Sequence, residues 1–195
     1  MYYKARYYPI CTKEVRKRLT AINATRLLRK SHFCFIEYFT EGKKACLKIE
    51  EGTGKTIVTS ESMNNEKDFD GKSTSTLTLR GSFSRDFSQI FDRLNLSGGQ
   101  IKEFYRELWM VKGIDTPDTR VFIEWWPGLY PLIILESSRE YAIQHLESIL
   151  GLEKQTSKDI IEMYQYELGW SVERFHETKS LSFFKFPTKE LPEIS

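Results

Sequence analysis

Two patterns in this sequence invite a chemical reading. The first is Gly52-Thr53-Gly54-Lys55-Thr56, which has the ending of a phosphate-cradling loop, where backbone N–H groups and a lysine hold phosphate oxygens. The full pattern also needs a glycine at position 49, where Ile49 stands, and a strand running into a helix. Strand-like segments flank it on both sides, so a hairpin turn is expected. The second is the set His32, His145 and His176. They are far apart, and none has a Cys or His partner at ligand spacing, so neither a metal site nor a His-based triad is expected around them. His145 reads as a surface or core-edge residue. Cys11, Cys34 and Cys46 are odd in number and widely spaced, and read as reduced thiols in a cytoplasmic setting.

The elements that would position any site are short strands and a few helices. Strands are expected over 1–8, 33–39, 45–50, 56–61, 76–80, 102–111, 120–125 and 131–136, from period-two alternation and turn signals. Helices are expected near 12–22, 84–95, 138–150 and 157–168. Ser137-Ser138-Arg139-Glu140 reads as a capping box, Ser157 as a cap, and Gly151 and Gly169 as stops. The polar stretch 62–74 reads as a loop. Eight strands without a βαβ rhythm predict an α+β fold: an eight-stranded antiparallel β-barrel with helices packed outside. Trp125-Trp126-Pro127 reads as a strand end on the barrel rim, with base stacking the less favoured alternative. The tyrosines at 2, 3, 7 and 8 read as strand packing.

Composition narrows the function classes. A chain of 195 residues favours one domain, expected here over 1–175, with 176–195 as a tail on or beside the barrel. An apolar fraction of 40% excludes a disordered chain. The formal net charge of +2 implies no strong field for nucleic acid or membranes, so no DNA partner is expected. The longest apolar run, Leu129 to Leu135, contains Pro131 and is far short of the roughly 20 residues that span a bilayer. Met1 to Arg6 lacks the apolar core of a signal peptide, and no membrane association is expected.

Tyr105-Arg106-Glu107-Leu108-Trp109, then Val121-Phe122-Ile123-Glu124-Trp125-Trp126-Pro127-Gly128-Leu129 and Ile134-Leu135-Glu136, precede a helix ending Ile149-Leu150-Gly151-Leu152. Farther on stand Ile160-Ile161-Glu162-Met163-Tyr164 and Glu167-Leu168-Gly169. In this order the segments resemble the CYTH superfamily, which holds class IV adenylyl cyclases, thiamine triphosphatases and other triphosphate tunnel enzymes. The resemblance implies a closed antiparallel tunnel whose inward cations bind a triphosphate and whose glutamates hold Mg²⁺ or Mn²⁺. That chemistry is consistent, because a polyphosphate needs several cations and a hard divalent metal needs carboxylate oxygens.

Departures from the family pattern decide the functional expectation. Its opening E-x-E-x-K falls on Tyr3, Ala5 and Tyr7, and a second acidic strand falls on Thr76, Thr78 and Arg80. A family Arg pair falls on Lys48 and Glu50, a family Lys falls near Glu61, and of a late Glu pair only Glu136 remains beside Ile134. Arg106 matches a family Arg, and Glu124 stands where an Asp is usual. Another register of the first strand, favoured by burial, turns Lys4 and Arg6 inward and sets Tyr3, Ala5 and Tyr7 against the helices. The resemblance thus implies a degenerate member with no catalytic residues and no cofactor. It would bind a nucleotide, cyclic nucleotide or polyphosphate through Lys4, Arg6, Lys48, Arg80 and Arg106. An active adenylyl cyclase or triphosphatase, with Glu50, Glu124 and Glu136 on Mg²⁺ or Mn²⁺, is one alternative. A structural or interaction subunit with a filled tunnel and a protein partner is the other. Arg106 and Glu124 read equally well as a structural ion pair across neighbouring strands.

Overall fold

A computed structural model describes residues 2–40, 43–50, 55–62, 74–80, 100–113, 117–152, 159–189 and 191. Its strands are β1 (Tyr3–Tyr7), β2 (Thr25–Thr40), β3 (Lys43–Glu50), β4 (Lys55–Ser62), β5 (Thr74–Arg80), β6 (Gln100–Val111), β7 (Thr119–Trp125), β8 (Leu132–Ser137) and β9 (Ser180–Leu181). The helices are α1 (Thr12–Ala21), α2 (Glu140–Leu150), α3 (Ile160–Leu168) and α4 (Val172–Glu177). The expected helix near 84–95 lies outside the described residues. The fold is α+β; β1 with β8, β8 with β7 and β7 with β6 pair antiparallel, as do β2 with β3, β3 with β4 and β4 with β5, and β9 adds a short parallel pairing to β6.

Contacts divide the chain into two compact units. The first comprises Met1–Ser31, Phe104–Phe175 and Phe183–Ser195; the second comprises His32–Glu103 and His176–Ser182. In the first, the pairing order is β1-β8-β7-β6. In the second, β2, β3, β4 and β5 pair in chain order, and β9 pairs with the start of β6. Glu50 pairs with Lys55 across β3 and β4, so antiparallel strands flank the glycine-rich stretch, where the phosphate-loop pattern needs a helix; the expected turn itself lies outside the described residues.

One face of the first unit's sheet buries the core. Val121, Ile123, Ile133 and Leu135 alternate along β7 and β8 and pack with Tyr7 of β1, Val15 and Leu19 of α1, and Ile143, Leu146 and Leu150 of α2. A period of two puts these strand residues on one side, and i, i+3, i+4 spacing puts the helix residues on theirs. Each fully buried Ile or Leu contributes roughly 1.5–3 kcal/mol by leaving water. Both α2 and α3 end on glycines, Gly151 and Gly169, each at φ +64, a left-handed geometry that costs other residues their Cβ clearance.

Four expectations are corrected. Strand β2 begins at Thr25, eight residues before Phe33, in a charge-rich stretch with no apolar alternation. Here the Arg26 guanidinium and the Lys30 ammonium lie over aromatic rings, which period reading cannot detect. The capping box at α2 does not form: Ser137 closes β8, and Arg139 takes the cap position without a side-chain bond. At α3 the cap is Asp159, whose Oδ1 accepts from the Glu162 N–H while the Glu162 carboxylate accepts from the Asp159 N–H, each at 2.8 Å. Trp125, expected on a rim, is buried in the core.

The Tyr7 hydroxyl is pushed up to about 12 by burial first, then by the charge of Glu147 and a hydrogen bond to it. Its unfolded counterpart ionises near 10. The stability this shift represents is therefore complete below pH 10 and is lost as pH rises toward 12, because the unfolded chain loses its proton first. Urea midpoints measured from pH 9 to 12 should fall more steeply in the wild type than in Tyr7→Phe, by about 2 kcal/mol over the window.

Candidate functional site

The sheet face turned away from α1 and α2 carries the residues the family resemblance singles out. Cross-strand register sets them in three rows. Lys4 of β1 stands opposite Glu136 of β8, which stands opposite Arg120 of β7. Arg6 stands opposite Ile134, which stands opposite Phe122, which stands opposite Leu108 of β6. Leu132 stands opposite Glu124, which stands opposite Arg106. Tyr7 packs in the helix-side core, so strand alternation puts Lys4 and Arg6 on the other face; this is the register that burial favoured.

The last row is closed by charge pairing. Arg106 Nε donates to Glu124 Oε1 at 2.8 Å, and its Nη2 donates to the same oxygen. The other carboxylate oxygen, Oε2, accepts from Trp126 Nε1 at 2.8 Å. The guanidinium lies over the rings of Phe104 and Phe122, 5.1 and 4.9 Å from their centroids. Trp126 stacks on Phe104 at 4.9 Å. Glu124 is thus buried with both oxygens engaged, held by a cation that aromatic faces hold in turn. The middle row is apolar apart from Arg6, and Ile134 is buried. The first row is open: the Lys4 ammonium lies 3.3 Å from a Glu136 oxygen, half of the Lys4 side chain is exposed, and Arg120 is exposed over the Tyr2 ring.

Of the residues singled out in the sequence, Lys4, Arg6, Arg106, Glu124 and Glu136 share this face of the first unit. Lys48, Glu50 and Arg80 stand in the second unit; Glu50 pairs with Lys55, and Lys55 with Arg80, in backbone register. The sequence reading passed over Arg120, whose signal was available: it lies four residues before Glu124, hence on the same strand face. The donors on this face fit Mg²⁺ or Mn²⁺ poorly. Glu124 has both oxygens occupied, Ile134 and Phe122 fill the ground between Glu124 and Glu136, and Glu136 is flanked by Lys4 and Arg120.

No protein-family model matches the sequence, and no curated protein matches it. Solved structures do. The PH1012 protein of Pyrococcus horikoshii OT3 superposes with a TM-score of 0.52 at 13% identity, covering 84% of this chain and 99% of that one. A conserved hypothetical protein of Pyrococcus furiosus gives 0.52 at 14% identity, over 84% and 99%. A candidate adenylate cyclase of Vibrio parahaemolyticus gives 0.55 at 11% identity, over 84% and 97%. At such identities the likeness speaks for the fold. This chain has the CYTH-type fold that its segment order resembled, in a strongly divergent sequence.

Removing Arg106 leaves the buried Glu124 carboxylate without its cation, a loss that costs roughly 3–5 kcal/mol. Arg106→Ala should therefore lower the urea midpoint sharply, whereas the double substitution Arg106→Leu with Glu124→Leu should recover most of that loss. The two denaturation curves, compared with wild type, check the assignment.

Proposed function

We propose that this chain is a CYTH-fold protein that binds a phosphate-bearing small molecule, a nucleotide or polyphosphate, without divalent-metal catalysis. The observation that carries the reading is the first row of the open face. Lys4 and Arg120 flank one carboxylate, Glu136, leaving a local excess of one positive charge. A carboxylate cluster would attract a metal ion; this composition attracts the anion itself. In this reading Arg120 grips phosphate oxygens in paired bonds, Lys4 acts as a point charge, and Arg6 of the adjoining row adds to the field. Arg106 sits at the far end, committed to Glu124, and supports the sheet. No helix among the described residues is long and apolar enough to cross a membrane. A cytoplasmic setting, where phosphate esters and reduced thiols both occur, fits Cys11 and Cys34, which are unbridged.

Calorimetric titration of tripolyphosphate in EDTA tests the proposal. Binding should appear without metal, weaken as salt rises, and lose roughly 1.5–3 kcal/mol in Arg6→Ala or Arg120→Ala. Incubation of ATP with Mg²⁺ or Mn²⁺ should give no appreciable phosphate release and no cyclic AMP. Turnover that disappears in Glu136→Gln would overturn the non-catalytic reading, and no heat with any of these anions would leave the interaction-subunit reading standing.

A further inference from the structure

The whole-chain charge of +2 hides a sharp asymmetry. Residues 1–31 contain nine Lys and Arg and one acid, Glu14, a net of +8; the other 164 residues hold 20 basic and 26 acidic side chains, a net of −6. All of residues 1–31 belong to the first unit. Part of this charge forms one outer patch, on the helix side of the sheet and away from the phosphate face proposed above. Arg16 of α1 reaches across to β6 and donates from Nη2 to Glu107 Oε2 at 2.7 Å, and Arg26 of β2 lies 3.5 Å from Glu107 Oε1. Arg16 also covers the Trp125 ring at 5.5 Å, Arg26 covers Trp109 at 5.6 Å, and Lys30 covers Tyr105 and Trp125 at 4.9 and 4.5 Å. Lys13, three residues before Arg16 on α1, lines the same cavity as Trp125.

Charge at the surface and charge in the patch differ here. Glu107 is only 1% exposed, whereas the Arg16 and Arg26 side chains are 37% and 41% exposed, and Lys13 and Lys30 are exposed as well. The anion is underneath and the cations are on top, so solvent meets a positive field. An independent observation lies on the same side. Phe183 packs its ring on Tyr105 at 4.8 Å, and the next residue, Phe184, is 98% exposed and is followed by Lys185. A phenyl ring wholly in water beside a basic patch contributes nothing to the fold. A flat hydrophobic ring and a run of cations are what an unpaired base and its backbone need.

We infer that this patch binds single-stranded nucleic acid, with Lys13, Arg16, Arg26 and Lys30 along the phosphates and Phe184 under a base. The contacts read neither base edges nor the ribose 2′-hydroxyl, so RNA and DNA strands bind alike. Fluorescence anisotropy of labelled 20-nucleotide oligo(U) and oligo(dT) with the full chain, from 50 to 200 mM salt, tests the inference. Each phosphate contact gives a slope of about −0.7 in log affinity against log salt, so three to five contacts give about −2 to −4. Lys13→Ala with Lys30→Ala should flatten the slope by about 1.4 and leave tripolyphosphate titration unchanged, which separates this surface from the opposite face. Phe184→Ala should weaken binding roughly 5- to 150-fold at unchanged slope. All three substitutions fall on exposed side chains and leave Glu107 paired. Absence of binding, binding indifferent to these substitutions, or equal competition by poly-glutamate would overturn it, the last by assigning the patch to an acidic protein.

Discussion

Glu107 is the constraint around which the first unit is organised. A carboxylate with its residue fully buried is tolerable only if cations and hydrogen bonds replace the water it has lost. Three groups do so. Arg16 arrives from α1 through two nitrogens, Arg26 from β2, and Trp109 Nε1 donates to Oε1 at 2.8 Å from the same strand. Each partner fixes an element: α1 at one rotation over the sheet, β2 beside β6, and Trp109 in the core. Slippage of β2 or α1 would strand the charge, so one carboxylate specifies several relations at once. Hydrophobic packing between α1, α2 and the sheet supplies most of the stabilisation, but it is non-directional. The ion pairs supply direction.

The same device is used twice, on opposite faces. In Glu107-Leu108-Trp109 the indole two residues after the carboxylate donates to it, and in Glu124-Trp125-Trp126 the indole again stands two residues on and donates at 2.8 Å. A strand's period of two sets residues i and i+2 side by side, so Glu-x-Trp on a strand is a self-contained pairing. What differs is the cation. At Glu107 the arginines come from α1 and β2 and stay partly in solvent; at Glu124 the arginine comes from the facing position of β6 and is clasped by Phe104 and Phe122. The first arrangement builds an outer charged surface. The second encloses the carboxylate in an ion pair inside the sheet face.

Much of this could be read from the residues, for reasons that differ by element. β7 and β8 alternate apolar side chains against a helix layer, so their extents were legible to within a residue or so. The start of β2 was not, because Arg26 and Lys30 stabilise it by covering rings on other strands, a long-range relation with no local period. Asp159 displaced the expected Ser157 as cap of α3 because Glu162, three residues on, completes the reciprocal box. Arg106 and Glu124 were legible as a cross-strand pair once β6 and β7 were taken as neighbours. Arg120 and Glu107 are not among the metal and phosphate positions that the family resemblance marks.

The apolar interval between Glu124 and Glu136 and the ion pair of Arg106 with Glu124 support each other physically. Where a tunnel enzyme keeps several carboxylates together, each raises the cost of ionising the next, and a bound cation relieves it. On this face Ile134 and Phe122 lie between Glu124 and Glu136 and keep the two carboxylates apart. Glu124 then needs a permanent cation and finds it in Arg106, directly opposite in register. Glu136 remains at the open end, where solvent, Lys4 and Arg120 meet it. The face is thereby neutral at one end, where Arg106 meets Glu124, and has two cations beside one carboxylate at the other.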